Sequence, residues 1–296
     1  MIGWGVRAAR MTCLAACALL AASAPSAAQG NGHGNAYGHF KSTVSAPAAA
    51  APAGSAQIPG TGVRNFGSWL DDASVMDPGT GYVSFGLGIW KTPVYREIDL
   101  PTVDSGYALN RRVQVGMSVP YYRASAPGGP VSHGFGDVYL NAKVQLRAPG
   151  EGRTGFGVIP MVEVLSVAPP AGGSRVQWAL PASIERQGSN WRVMGTGGYF
   201  SRGAMFGAGA FERALSSRAW LTGSVSHSYS THHDDLSAAL GFKKARTDVS
   251  GGLTYAVTPV TSVYGSLGRT ISGHDDNSAT LIATAGVSFG VKPFRQ

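Results

Sequence analysis

Polar and apolar residues alternate without a break from Asp137 to Leu146. Asp137, Tyr139, Asn141, Lys143 and Gln145 take the odd positions; Val138, Leu140, Ala142, Val144 and Leu146 take the even ones. Successive side chains of a strand point to opposite faces, so the segment is a strand with one polar and one apolar face. One copy would suit a soluble sandwich equally well. The pattern recurs about a dozen times between residue 81 and the C-terminus, in strands of roughly ten residues or more. That strand length with a dyad repeat marks a transmembrane β-barrel.

The alternation predicts strands over 81–90, 95–103, 112–122, 135–147, 154–167, 175–187, 190–200, 203–213, 217–230, 247–257, 260–272 and 279–291. Residues 233–244 could form another. Barrels of one chain have an even strand count, short periplasmic turns and longer outer loops. With twelve strands the connections 104–111, 148–153, 188–189, 214–216 and 258–259 fall on the periplasmic side, and 123–134, 168–174, 231–246 and 273–278 on the other. The short connections 91–94 and 201–202 land on the outer side, so the sorting is imperfect. It is still better with 231–246 as a loop. The expected fold is an all-β, antiparallel up-and-down barrel of the outer-membrane type with twelve strands, fourteen being the alternative.

The start of the chain sets the compartment. Arg7 and Arg10 precede an apolar stretch from Met11 to Ala22, and Ser26-Ala27-Ala28 supplies small residues for signal cleavage after Ala28. About a dozen apolar residues cannot span ~30 Å of hydrocarbon as a helix. Leu14-Ala15-Ala16-Cys17 has a lipoprotein-like pattern, but apolar sequence continues beyond it. The expected organisation is a signal peptide over 1–28, a low-complexity periplasmic linker over 29–79 rich in Gly, Ala and Pro, and a barrel over 80–296. Phe66, Trp69 and Leu70 could dock as a short helix or plug against the barrel's periplasmic mouth. Both cysteines, Cys13 and Cys17, lie in the leader, so disulfides cannot hold the mature chain. A closed barrel can, since its hydrogen-bond ladder has no edge. The expected location is the outer membrane of a Gram-negative bacterium.

Composition changes this picture little. The formal charge of +8 falls to +6 once Arg7 and Arg10 leave with the leader. No run of Lys or Arg is longer than two, which argues against a nucleic-acid partner. Charged residues are 14% of the chain and glycines number 42, as suits tightly curved barrel strands.

The faces follow from the alternation. Val83, Phe85, Leu87 and Ile89, Val113 to Val119, Val176, Trp178, Leu180 and Ile184, and Leu281 to Phe289 read as lipid-facing at alternate positions. Trp90, Tyr121, Tyr122, Trp191, Tyr199, Trp220, Tyr229 and Tyr255 lie near strand ends, where interfacial girdles place aromatics. The charges expected to line the lumen are Arg112, Asp137, Lys143, Glu163, Arg175, Glu185, Arg192, Glu212 and Asp248. Four positive and five negative groups suggest pairing across the lumen, where an ion-selective pore would carry one sign. Twelve strands fall between the filled eight-stranded barrel and the open porin.

Several segments carry a resemblance in their order along the chain: Asn110-Arg111-Arg112-Val113, Val119-Pro120-Tyr121, Gly134-Phe135-Gly136-Asp137 and Ala179-Leu180-Pro181, then Arg246 to Gly252, Tyr255 with Thr258-Pro259, and Tyr264 to Arg269. Together these resemble the outer-membrane barrel proteins of the phenol-degradation meta-pathway family, commonly labelled transporters. The resemblance covers roughly residues 80–291. It implies an outer-membrane barrel and passage of small, aromatic or apolar compounds, with no binding residues to carry over. The chain departs from many barrels at its end: Phe289 is followed by Gly-Val-Lys-Pro-Phe-Arg-Gln, so Phe289 or Phe294 would have to serve the barrel-assembly machinery.

His232-His233-Asp234-Asp235, with His227 upstream, and His274-Asp275-Asp276-Asn277 have metal-ligand residue types. Nothing fixes a coordination geometry, so both read as solvated loops that could share divalent ions with lipopolysaccharide phosphates. A lipid-hydrolysing barrel would need a nucleophile beside a base. Ser226-His227-Ser228 has the residue types, but adjacent residues point to opposite faces. Gly195-Thr196-Gly197-Gly198 neither follows a strand nor opens a helix, so it is no nucleotide loop. No cofactor or metal is expected, and no enzymatic activity. The expected partners are outer-membrane lipid, lipopolysaccharide and a small solute. A passive channel or transporter is the favoured reading, ahead of a closed structural barrel or a lipid-modifying enzyme.

Overall fold

The computed structural model describes residues 72–291 apart from 126–130, 151, 166–173, 202, 232–242 and 277. The expected leader, most of the linker with Phe66, Trp69 and Leu70, positions 233–242 of the optional strand at 233–244, the 232–235 cluster and Phe294 lie outside the described residues. No described helix is long and apolar enough to cross a membrane.

The described chain is all β. Its segments are β1 (Gly81–Lys91), β2 (Arg96–Ala108), β3 (Val113–Ser125), β4 (Ser132–Phe135), β5 (Val138–Arg147), β6 (Gly155–Val158), β7 (Met161–Val164), β8 (Val176–Gln187), β9 (Trp191–Phe200), β10 (Ala204–Ala214), β11 (Ala219–Ser230), β12 (Ala245–Thr258), β13 (Thr261–Ser272) and β14 (Leu281–Val291). Every pairing is antiparallel, each stave pairs with the next along the chain, and β1 pairs with β14 to close the barrel. β4 and β5 both pair with β3, and β6 and β7 both lie between β5 and β8. The fourteen segments therefore build twelve staves, as the alternation predicts.

The two interruptions have local causes. A side chain at Gly136 would run into the ring of Pro120 on β3, so this position needs glycine. The ladder survives as Gly136 N–H donates to the Pro120 carbonyl at 2.8 Å. Pro160 has no N–H to give. Ile159 N donates to Pro181 O at 2.8 Å and Pro160 O accepts from Ala142 N at 3.0 Å, carrying the sheet across that gap. β2 runs five residues past its expected end at 103, to Ala108. Its register shifts between Asp99 and Thr102, at Leu100-Pro101, so the alternation restarts on the other parity and hides the second half of the strand.

The connections 109–112, 148–154, 188–190, 215–218 and 259–260 form one end; 92–95, 126–131, 165–175, 201–203, 231–244 and 273–280 form the other. The second end is longer on balance, as the outer side of such barrels is, and the two ends are named outer and periplasmic on that basis. Gly203, at φ 84°, lets 201–203 reverse the chain in three residues. The outward face carries Phe85, Val115, Met117, Trp178, Leu180, Ile184, Leu253, Leu267 and Phe289, all exposed to the surroundings as lipid contact requires. Two of the expected girdle aromatics are corrected. Trp90 and Trp220 are 3% and 1% exposed and point into the barrel.

Candidate functional site in the barrel lumen

The inward face divides by depth and by stave. In its periplasmic half, from β5 round to β10, alternation brings Lys143, Glu185, Arg192 and Glu212 inside, all buried. Arg192 faces Glu212 directly across the β9–β10 ladder, and Glu212 faces Thr222 across the next. Arg192 Nε donates to Glu212 at 2.7 Å, and Thr222 Oγ1 donates to its other oxygen at 3.3 Å. Arg192 Nη1 also lies 3.7 Å from Glu185. A buried charge is tolerable only when paired, and Arg192 meets Glu212 and Glu185 on this wall.

Residues 72–76 enter this network from inside the barrel and are buried throughout. Asp72 accepts from Lys143 Nζ at 2.7 Å and from Arg192 Nη1 at 3.2 Å, so it bridges β5 and β9. Ala73 N–H and Ser74 Oγ donate to Glu185 Oε2 at 3.2 and 2.8 Å. The backbone is also held: Ser183 Oγ donates to Asp72 O at 3.0 Å, Gln145 Nε2 to Ala73 O at 3.0 Å, and Met76 N–H to Gln114 Oε1 at 3.3 Å. On its apolar side the segment packs Val75 and Met76 against Tyr82, Ala108 and Tyr264. Those two tyrosines lie across glycines: a Cβ at Gly106 or Gly286 would collide with the ring of Tyr82 or Tyr264. Glycine on the wall thus gives each ring room inside a narrow lumen.

Nearer the outer end the same staves change character. Tyr139, Met161, Ala179, Phe200, Ala204 and Phe206 form one buried, inward-facing cluster. The Phe200 and Phe206 rings lie 5.5 Å apart at 46°. On the opposite wall the lining is hydroxyl-rich. Ser224 bonds Ser250 at 2.9 Å, Ser266 bonds Thr284 at 2.7 Å, and Ser84 bonds Tyr264 at 3.2 Å. Towards the outer mouth the Arg246 guanidinium sits 4.9 Å over the Trp90 ring and donates to Asp248 at 3.1 Å. Asp248 also accepts from Thr270 at 2.6 Å.

Of the nine charges expected in the lumen, Lys143, Glu163, Glu185, Arg192, Glu212 and Asp248 are buried on the inner face. Asp137 is half-buried at the β4–β5 interruption. Arg112 and Arg175 are exposed at opposite strand ends, Arg175 donating through Nε to Leu165 O at 3.2 Å. Sequence reasoning missed Asp72, which belongs to no strand, and the buried Asp99 and Asp104 of β2. Leu100-Pro101 in mid-strand was the available signal for a parity change there. It also assumed a polar lumen and so missed the aromatic cluster. His227, exposed on the outward face, bonds Thr247 at 2.9 Å through Nδ1, while Ser226 beside it is buried inside. Among the described residues no three His, Cys, Asp or Glu are placed to hold a metal ion. Asp275 in the last outer loop donates its backbone N–H to Ser278 Oγ at 2.6 Å and accepts from Lys243 N at 2.9 Å.

Solved structures share this architecture. An outer-membrane channel from Pseudomonas putida F1 superposes with a TM-score of 0.57 at 13% identity, covering 74% of this chain and 98% of that one. The NanC porin superposes at 0.52 with 10% identity, covering 70% and 98%. The fold is that of outer-membrane β-barrels. No protein-family model matches the sequence, and no curated protein does.

Proposed function

We propose that this chain is an outer-membrane channel for passive entry of small molecules, aromatic and apolar compounds above all. The observation that carries the solute class is the inward cluster of Tyr139, Met161, Phe200 and Phe206. A water-filled diffusion pore lines its lumen with polar side chains, whereas an apolar lining lowers the cost of admitting an apolar solute. The Pseudomonas protein of like fold is described as a channel, and the sequence resemblance to the phenol-degradation meta-pathway barrels points the same way. In this reading residues 72–76 close the lower lumen, and release of Asp72 from Lys143 and Arg192 opens it.

The test is uptake into proteoliposomes holding the barrel, folding being checked by its heat-modifiable gel shift. Phenol or toluene should enter faster than a sugar of similar size, relative to empty vesicles. Equal exclusion of both by a folded barrel would leave a closed structural role. Lipid hydrolysis is disfavoured because His227 faces away from its neighbouring serines. His227→Ala should leave lipid composition unchanged, and a phospholipase activity abolished by that substitution would reverse this view.

A further inference from the structure

The sign of charge is not distributed evenly between the two ends of the barrel. At the short-turn end Arg111, Arg112, Arg147, Arg153, Arg186, Arg213 and Arg218 are all exposed, and the least buried carboxylate described there is the half-buried Asp77. At the long-loop end the exposed Lys91, Arg96, Arg123, Arg175, Lys243, Lys244 and Arg269 share their rim with the exposed Asp276 and the half-buried Glu97, Asp137 and Asp275, so the two ends differ in their carboxylates.

One part of the periplasmic rim faces outward, towards lipid. On β8 the inward residue is Glu185 and the outward one Arg186; on β10 they are Glu212 and Arg213. Trp191 lies between them, paired with Arg213 across the β9–β10 ladder, while Arg186 pairs with Val193 one step further in. The Trp191 indole lies over Gly188, where any side chain would strike it, so the turn pins the ring at the strand ends. Arg218 stands in the next turn of the same rim. Directly inward from this group the outward face is apolar: Ile184, Val193, Phe211 and Leu221 are each 45–49% exposed.

We propose that Arg186, Trp191 and Arg213 form a binding site for an anionic phospholipid of the periplasmic leaflet. The acyl chains lie on Ile184, Val193, Phe211 and Leu221, the indole takes the headgroup level, and the guanidiniums grip the phosphodiester. Guanidinium presents a planar fork that matches phosphate oxygens bidentately. Arg186 and Arg213 lie two staves apart and two residues out of step, about 12 Å at ~4.8 Å per stave and ~3.4 Å per residue, a gap their long side chains can close on one headgroup. With no described carboxylate exposed there, a zwitterionic headgroup would bring an ammonium into an uncompensated positive field. A net-negative headgroup of the phosphatidylglycerol kind brings none.

The site rests on the barrel sitting in a membrane with its short turns periplasmic, and is independent of whether the lumen conducts. The experiment is native mass spectrometry of the barrel released from nanodiscs of phosphatidylglycerol and phosphatidylcholine with matched acyl chains. The wild type should retain phosphatidylglycerol on the order of tenfold in preference. The double variant Arg186→Gln/Arg213→Gln should bind both lipids equally and keep its heat-modifiable shift. Arg269→Gln, at the opposite rim, should keep the preference, and inorganic phosphate should not compete. No preference in the folded wild type, a preference that survives the double variant, or equal loss on Arg269→Gln would overturn the site.

Discussion

Two walls of one lumen solve the same problem differently. Staves β5 to β10 bury full charges and balance them with one another and with Asp72. Staves β11 to β14, apart from the Arg246–Asp248 pair near the outer mouth, bury hydroxyls, which satisfy each other in short cross-strand pairs such as Ser224–Ser250 and Ser266–Thr284. A hydroxyl both donates and accepts, so its bond closes locally and asks nothing of the far wall. A buried cation only donates, and Lys143 donates to a carboxylate, Asp72, from a segment outside the barrel wall. The charged wall is therefore the one that can recruit and release residues 72–76, and the hydroxyl wall is the fixed side of the passage.

Substitutions should separate the two walls. The largest effect is expected for Asp72→Ala, which strips Lys143 and part of Arg192 of a partner; breaking a buried pair typically costs about 3–5 kcal/mol. Single-channel conductance in planar bilayers should rise several-fold over wild type. An unchanged conductance would place the constriction elsewhere. Next comes Glu185→Gln, which keeps an acceptor for Ala73 N–H and Ser74 Oγ but removes the charge near Arg192. A loss of about 1–3 kcal/mol in a urea unfolding titration is expected, with a smaller conductance change than for Asp72→Ala. The smallest effect belongs to the hydroxyl wall: Ser266→Ala removes one 2.7 Å bond, worth roughly 1 kcal/mol. It should leave conductance alone, and a conductance jump there would erase the distinction between the walls.

The barrel was legible because lipid outside and a narrow polar space inside impose a period of two on every stave. The strands predicted over 175–187 and 190–200 differ from β8 and β9 by a residue at their starts. Legibility failed where the period failed. Leu100-Pro101 switches parity within β2, so the alternation did not mark Asp99 and Asp104 as inward-facing. It failed too where residue type misleads: Trp90 sits at a strand end like a girdle aromatic, yet it stacks beneath Arg246 inside. Arg112 and Arg175 sit at strand ends and stay exposed, for parity says nothing about depth.

The amino-acid sequence alone settles the staves and their order, and which side chains face in wherever the period of two is unbroken, since these follow from local alternation and turn chemistry. It does not settle which inward groups meet. Lys143, Glu185, Arg192 and Asp72 are separated by up to 120 positions along the chain, and only barrel closure brings them within bonding distance. Where the period of two ends, at residue 80, the sequence offers no rule for the preceding segment. Its place is decided by the partners that a closed ring of strands holds ready at its centre.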